Sequence, residues 1–381
     1  MLDFIECQRS LFDIPDDIVY LNTAYISPLS TSVVKAIVDG SNLKAQPWKI
    51  SPTEHFFEQL ETVKAKFAKL FYINSRNVAL IPSASYGIST AAKNIKIGPG
   101  KQIIVLRDQF PSNIYPWFDL VKREGGSLKF VGDEKNFDIT SSIIRAIDDR
   151  VTAVAIPNVR WTDGALVNLY KIKEACLRVG AKLILDLTQS AGALITDLSS
   201  IKPDFAVIAN YKWMLGPYST GFLYVDDAFL DGVPLEQTWS GRKGSEDFST
   251  LTDYKFDYQS GASRFDMGER ANFSLLPGIE AALDQISEWG IENIQRTLQR
   301  NSGMLFTRLE ELGLDTLTEE KRSPHFISVK LPGTNGKEIL SKLADKKIYL
   351  SERSGYLRIT PHLWNNSDDF SKLLKALKNI I

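Results

Sequence analysis

The chain has 381 residues, 44% of them hydrophobic and 24% charged, a globular composition that excludes a disordered, collagenous or fibrous protein. Its 45 lysines and arginines face 46 acids, a net charge of −1, so it lacks the cationic excess that holds nucleic acids. At roughly 100–200 residues per domain the length points to two domains, or one large domain with an appendage, and no stretch approaches the ~18 apolar residues of a membrane span.

The first residues, MLDFIECQRSLFD, carry acids from the third position and lack the basic-then-apolar layout of a secretory signal. Phe56, Phe57, Leu60, Val63, Phe67, Leu70 and Phe71 recur at helical spacing and predict a helix over 53–71. From there to about residue 225, short apolar runs alternate with segments of helical length. The runs lie at 78–81, 103–106, 128–131, 151–156, 183–185, 205–208 and 221–225. Several are apolar at every position, as strands covered on both faces are. Such alternation predicts an α/β domain with a mostly parallel sheet. The last run follows a short turn, which allows it to be antiparallel. Residues 226–270 are more polar and loop-like. A long helical pattern runs from Leu275 past Ala281, Leu283 and Ile286 towards Leu312. Strand candidates follow at 326–331, 348–350 and 356–359, and an amphipathic helix with Phe370, Leu373, Leu374, Leu377 and Ile380 ends the chain.

Cys7 and Cys176 stand too far apart for a CxxC pair or a metal knuckle. The expectation is no disulfide and a cytoplasmic protein. His55, His325 and His362 are scattered, which speaks against a zinc site or a Ser-His-Asp triad. GxSxG, P-loop and GxGxxG motifs are absent.

Ligands of open α/β sheets sit at the carboxyl ends of strands. After the run 78–81 come Pro82, Ser83, Ala84, Ser85, Tyr86 and Gly87. Small residues opening a helix form an anion cup; the same residues also read as an ordinary Ser N-cap. After 183–185 comes Asp186, either a functional carboxylate at a buried strand end or another helix cap. After 205–208 comes Lys212, flanked by Tyr211 and Trp213. Burial makes such a lysine an amine nucleophile; the alternative is a lysine that snorkels to solvent. Together, an anion cup, a strand-end Asp and a strand-end Lys are the parts that pyridoxal 5′-phosphate (PLP) requires.

At these residues the sequence resembles aminotransferase class V, the fold-type-I PLP enzymes that include cysteine desulfurases and kynureninases. The resemblance extends from Tyr20-Leu21-Asn22-Thr23-Ala24 to the C-terminal module. It is strongest in LILDLTQSAGALITDL and PDFAVIANYKWMLGPYSTGFLYV, which look like the family's Asp-x-x-Gln/His and Lys-x-x-x-Gly-Pro signature. The implied fold is α/β, PLP-dependent transferase fold type I. It comprises a large domain over 20–275 with a mostly parallel mixed sheet, and a small α+β domain from 1–19 and 276–381. By the same resemblance Lys212 carries the internal aldimine and Asp186 pairs with the pyridinium nitrogen. Gln189 hydrogen-bonds the ring's phenolic oxygen, and Thr188 lies against one ring face. Phe110, in QFPSNIYPW, stacks on the other. Asn158 stands near the ring oxygen and the substrate carboxylate, and Ala84 and Ser85 bind the phosphate.

Tyr211 matches kynureninases, where other members have His; its hydroxyl reaches the phosphate or its ring packs beside the cofactor. Trp239, in TWSGR, resembles a kynureninase loop that contacts phosphate across the dimer interface, or is a packed tryptophan. In SGYLRITPH, Arg358 matches the arginine that grips the substrate α-carboxylate; a surface salt bridge is the alternative. Arg353 is a second carboxylate contact.

Two departures from the family stand out. No cysteine lies in 320–357, where desulfurases carry their nucleophile. The family's Gly-Thr-Pro is Gly268-Glu269-Arg270 here, with Arg270 as a substitute phosphate ligand. The resemblance implies a homodimer with its site at the interface, and an enzyme that acts on an α-amino acid through an external aldimine. Transamination is the generic reaction; a kynureninase-like or other Cα/Cβ lyase and an epimerase are the alternatives. The non-enzyme rival is a PLP-fold protein kept for regulation or partner binding.

Overall fold

Short β-branched and aliphatic runs become strands where both of their faces are covered. In chain order the strands are β1 (Val19–Tyr20), β2 (Val78–Ile81), β3 (Gln102–Leu106), β4 (Ser127–Val131), β5 (Val151–Pro157), β6 (Lys182–Asp186), β7 (Phe205–Ala209), β8 (Gly221–Val225), β9 (Ile327–Lys330), β10 (Ile348–Tyr349), β11 (Ser351–Arg353) and β12 (Tyr356–Ile359). The computed structural model describes residues 4–132, 138–331 and 336–380. Among them the main sheet has seven strands in the order β2-β8-β7-β6-β5-β3-β4. Only β8 is antiparallel to its neighbours, β2 and β7; the others pair in parallel.

The helices α1 (Thr31–Lys44), α2 (Gln59–Leu70), α3 (Ala84–Asn94), α4 (Tyr115–Glu124), α5 (Ile139–Ala146), α6 (Leu169–Val179) and α7 (Leu198–Ile201) belong to the first two thirds of the chain. They are followed by α8 (Leu275–Trp289), α9 (Ile291–Glu311), α10 (Gly336–Ala344) and α11 (Ser367–Lys378). The predicted helix over 53–71 is a π-helical turn, Glu54–Glu58, running into α2. The single pattern from 275 to 312 is two helices. Gly290, at φ +75°, ends α8 and starts α9 in a conformation that side-chain-bearing residues resist. None of the described helices is long and apolar enough to cross a membrane.

Two cores flank the main sheet, and β7 feeds both. Ala206 and Ile208 join Phe67, Val154, Leu185 and Ile279 on one face, while Phe205 and Val207 join Ile88, Ile103 and Trp117 on the other. This is the alternation a pleated strand imposes. A third core gathers Val19, Leu305, Ile327, Leu357, Ile359 and Leu373 around the sheet β11-β12-β9. It is the physical basis for the division we propose, a large domain over 20–275 and a small domain from 1–19 with 276–381. Helix α8 is the shared element, packing on α1 and α2.

Candidate active site

The carboxyl edge of the parallel strands gathers the chemistry. Asp186 is the last residue of β6 and lies opposite Val207 of the adjacent parallel strand β7. Lys212 follows β7 in a tight loop: Leu215 donates its amide to the Lys212 carbonyl at 3.1 Å, and Gly216 to that of Asn210 at 2.9 Å. Leu215 has φ +53°, a strained choice for a branched residue. The cleft around Lys212 is also lined by Ala84, Phe110, Trp161, Thr188, Gln189 and Tyr211.

Lys212 is 7% exposed. Among the described residues its Nζ makes no hydrogen bond or ion pair; it lies 5.5 Å from the Tyr211 ring and 5.7 Å from the Phe110 ring. Burial pulls its pKa down to about 8, against the opposing pull of the Asp186 charge. Asp186 is buried too, and burial pushes its carboxyl up. Its Oδ1 accepts the Thr188 amide at 3.0 Å. Thr188 Oγ1 accepts the Ala209 amide at 3.2 Å, which fixes that side chain at the floor of the cleft.

Gln189 is held at both ends. Its Nε2 donates to the Ala24 carbonyl at 2.9 Å, and its Oε1 accepts the Trp213 indole N–H at 3.0 Å. The Gln189 backbone carbonyl lies 2.7 Å from His325 Nε2. Tyr211, packed 4.6 Å from Tyr218, is pushed up to about 12 by burial and stays a neutral phenol.

At the N-terminus of α3, Ser83 accepts the Tyr86 amide on its side chain at 3.2 Å and the Gly87 amide on its carbonyl at 3.3 Å. The amides of Ala84 and Ser85 have no partner among the described residues, so two donors and the positive end of the helix face outwards. Gly87 lets α3 approach β7 this closely; a Cβ there would stand 2.4 Å from Val207 Cγ1.

The small domain supplies the other wall. Arg358 is 1% exposed. Its Nε and Nη2 donate to Ser351 Oγ at 3.0 and 2.6 Å, and its Nη1 donates to the Trp161 carbonyl at 2.9 Å. Among the described residues it has no carboxylate partner. Burial and the charge of Arg353 lower it to about 9, so it remains a cation at neutral pH.

Of the residues singled out in the sequence, the fold brings Ala84, Phe110, Asp186, Thr188, Gln189, Tyr211 and Lys212 to one cleft. Arg358 and Arg353 stand at its Trp161 wall, 5.8 and 5.9 Å from that ring. Ser85 is exposed on the first turn of α3. Asn158 lines a larger neighbouring groove of about 980 Å³, beside Pro157 and Val159 of the cleft. That groove has the greater volume, but it lacks an unpaired buried amine. Trp239 and Arg270 lie apart from Lys212, in a small hollow with Phe56 and Glu269. There Arg270 shares Asp266 with Lys64, and its buried Nε has no partner.

The sequence reading missed Trp161, Ser351 and His325. Trp161 was detectable as an aromatic just past a strand end. Ser351 and His325 reach the site only through long-range packing.

The mostly parallel seven-stranded sheet with its smaller α+β part is the architecture of fold type I. The chain belongs to the aminotransferase class-V family, matched over residues 19–357. It is 24% identical to a probable cysteine desulfurase of Methanothermobacter thermautotrophicus, over 97% of this chain and 96% of the relative. It is also 24% identical to a kynureninase of Geobacillus thermodenitrificans, over 80% and 73% respectively. A solved C-DES mutant with glycine covalently linked to its PLP cofactor superposes with a TM-score of 0.89 at 20% identity, covering 98% of this chain and 99% of its own.

Proposed function

We propose that the chain is a PLP-dependent enzyme acting on an α-amino acid, with transamination as its generic reaction. The observation that carries this reading is Lys212: a buried amine without a partner among the described residues, at a strand end beside a buried carboxylate. The residues fit the cofactor. The unpartnered amides of Ala84 and Ser85 and the Tyr211 hydroxyl would hold its phosphate. Thr188 and Phe110 would flank its ring, and the free N–H of Gln189 would meet its phenolic oxygen. Asp186 would hold a proton on its ring nitrogen, because an adjacent cation offsets the cost of burying the carboxylate. Bound PLP supplies an electron sink for the bond broken at the substrate Cα.

The protein's own residues do the rest. Arg358 binds the α-carboxylate with its fork, held in orientation by Ser351 and the Trp161 carbonyl; Asn158 would support it there. Lys212, with its lowered pKa, takes the proton from Cα as general base and returns it. Return of the proton to the opposite face of Cα would give epimerisation, whereas transamination would need its delivery to the cofactor's aldehyde carbon instead. Phe110 and Tyr211, which match kynureninases, favour Cβ cleavage as a second reading. The chain lacks a cysteine in 320–357, so persulfide formation at that position is not proposed.

We also propose a homodimer. Trp48 and Phe256 are 78% and 86% exposed, and Tyr25 and Tyr218 form an exposed aromatic rim close to Tyr211. Such apolar surface is characteristic of an interface. Trp239 and Arg270 would then reach the partner subunit's phosphate. Both cysteines are free, which supports a cytoplasmic setting.

The test is spectroscopic. Wild-type protein should take up PLP with a visible absorption band, and Lys212→Ala should lose that band. A wild-type protein that stays colourless with excess PLP contradicts the proposal and favours a non-catalytic scaffold.

A further inference from the structure

The hairpin β11–β12 carries two arginines on one face. Ser351 pairs with Arg358 and Arg353 with Tyr356 across the ladder, so all four side chains project the same way. Glu352 projects the other way. Its carboxylate accepts the Gly355 amide at 2.6 Å. Its side chain packs on Gly336 at the start of α10, where an added Cβ would lie 2.8 Å from Glu352 Cγ. Both guanidinium groups lie by the ring of Trp161, at 5.9 Å for Arg353 and 5.8 Å for Arg358. Trp161 in turn lines the Lys212 cleft.

Like charges close together on one sheet face repel. Other cations around this fold are matched by acids: Arg160 by Asp163, and Lys64 and Arg270 by Asp266. Arg353 and Arg358 are not. Arg353 donates Nη1 to the Glu352 carbonyl at 2.6 Å, and neither arginine has an ion-pair partner among the described residues. The α-carboxylate of an amino acid neutralises one of them. Asp186 makes no ion pair with either arginine among the described residues; its Oδ1 accepts the Thr188 amide on the cleft floor. Arg353 is only half-buried, so it stays accessible to a second anion arriving on the substrate.

Resting on the amino-acid site proposed above, we infer that Arg353 binds a carboxylate on the substrate side chain, so that the substrate class is an acidic, dicarboxylic α-amino acid. Arg358 takes the α-carboxylate and Arg353 the distal one, both beside the Trp161 ring.

The PLP-loaded protein is titrated with L-aspartate and L-glutamate, and with L-asparagine and L-glutamine, following the visible absorption of the bound cofactor. The acids are expected to bind about 10- to 100-fold more tightly than their amides, the range of a hydrogen bond to a charged group. Arg353→Gln is expected to collapse that ratio by weakening the acids more than the amides. Equal binding of acids and amides by the wild type overturns the inference. So does an equal loss for all four ligands in the variant, the mark of an arginine that shares the α-carboxylate. If no amino acid changes the spectrum, the amino-acid site itself falls, and the substrate class with it. Should the variant fail to fold, calorimetry of the wild-type holoprotein with succinate and glutarate against butyrate decides the point. Dianions binding at least about tenfold more tightly support the inference, and equal binding overturns it.

Discussion

Trp213 donates its indole N–H to the side-chain oxygen of Gln189 at 3.0 Å, and this fixes which end of the Gln189 amide faces the cleft. With the oxygen taken by Trp213 and one N–H taken by Ala24, a single donor remains. Trp213 is therefore a positioning residue, seated edge-on against the buried His325 ring at 4.3 Å.

Trp213→Phe keeps the packing and removes the donor. It should raise the dissociation constant for PLP by about three- to tenfold, the effect of one hydrogen bond, and shift the visible band of the bound cofactor. Equilibrium titration with absorbance detection checks both. Unchanged affinity together with an unchanged band contradicts the role.

Arg358 stands on a serine and a carbonyl, with no acid paired to it among the described residues. Arg358→Gln should weaken amino-acid binding by about 100-fold whatever the side chain, while PLP uptake persists. Ser351→Ala should weaken it by less, since it loosens the arginine without removing it. Spectral titration separates the cases. Full amino-acid affinity in Arg358→Gln would rule the arginine out as the carboxylate anchor.

Much of this was legible in the sequence because strand interiors are dictated locally. The run 78–81 coincides with β2, and 221–225 with β8, which is antiparallel as its short preceding turn allows. Asp186 is legible as the first polar residue after an apolar run, and Lys212 as a lysine between two aromatics just past another. What was not legible depends on distance along the chain. Strand β1 has two residues and pairs with β10, so that Val19 meets Ile348. Strand β11 reads Ser-Glu-Arg and has no apolar pattern. Gly290 interrupts a pattern whose periodicity continues across it. The placement of Trp239 and Arg270 away from Lys212 is likewise a matter of tertiary packing.

The rate at which the apoprotein captures PLP should follow the neutral fraction of Lys212. Its pKa is lowered by burial to about 8, so the rate should climb with pH and level off just above that value. The Asp186 charge raises this pKa, so Asp186→Asn should move the midpoint to lower pH. Stopped-flow absorbance across pH 6–10 measures both. A midpoint at the ordinary lysine value would contradict the burial argument.

His325 and His362 are fully buried as neutral rings, and burial lowers them to about 4 and about 3. An unfolded histidine titrates near 6.5. Between that value and the folded values the unfolded chain binds more protons, so the stabilisation present above pH 6.5 declines as pH falls. Among the described residues neither ring nitrogen of His362 has a partner, and the ring stacks on Trp364 at 4.8 Å. His362→Phe preserves the stacking and removes the titration. Its melting temperature should exceed that of the wild type at pH 5, with the advantage shrinking towards pH 7. An identical pH dependence in the two proteins would contradict this.

Lys212 is proposed as the attachment point of the cofactor. Borohydride reduction of the PLP-loaded protein, followed by peptide mass mapping, tests it directly. One phosphopyridoxyl group per chain is expected, on Lys212, within the peptide that follows β7. A label on another lysine, or no label under conditions where PLP is bound, would contradict it.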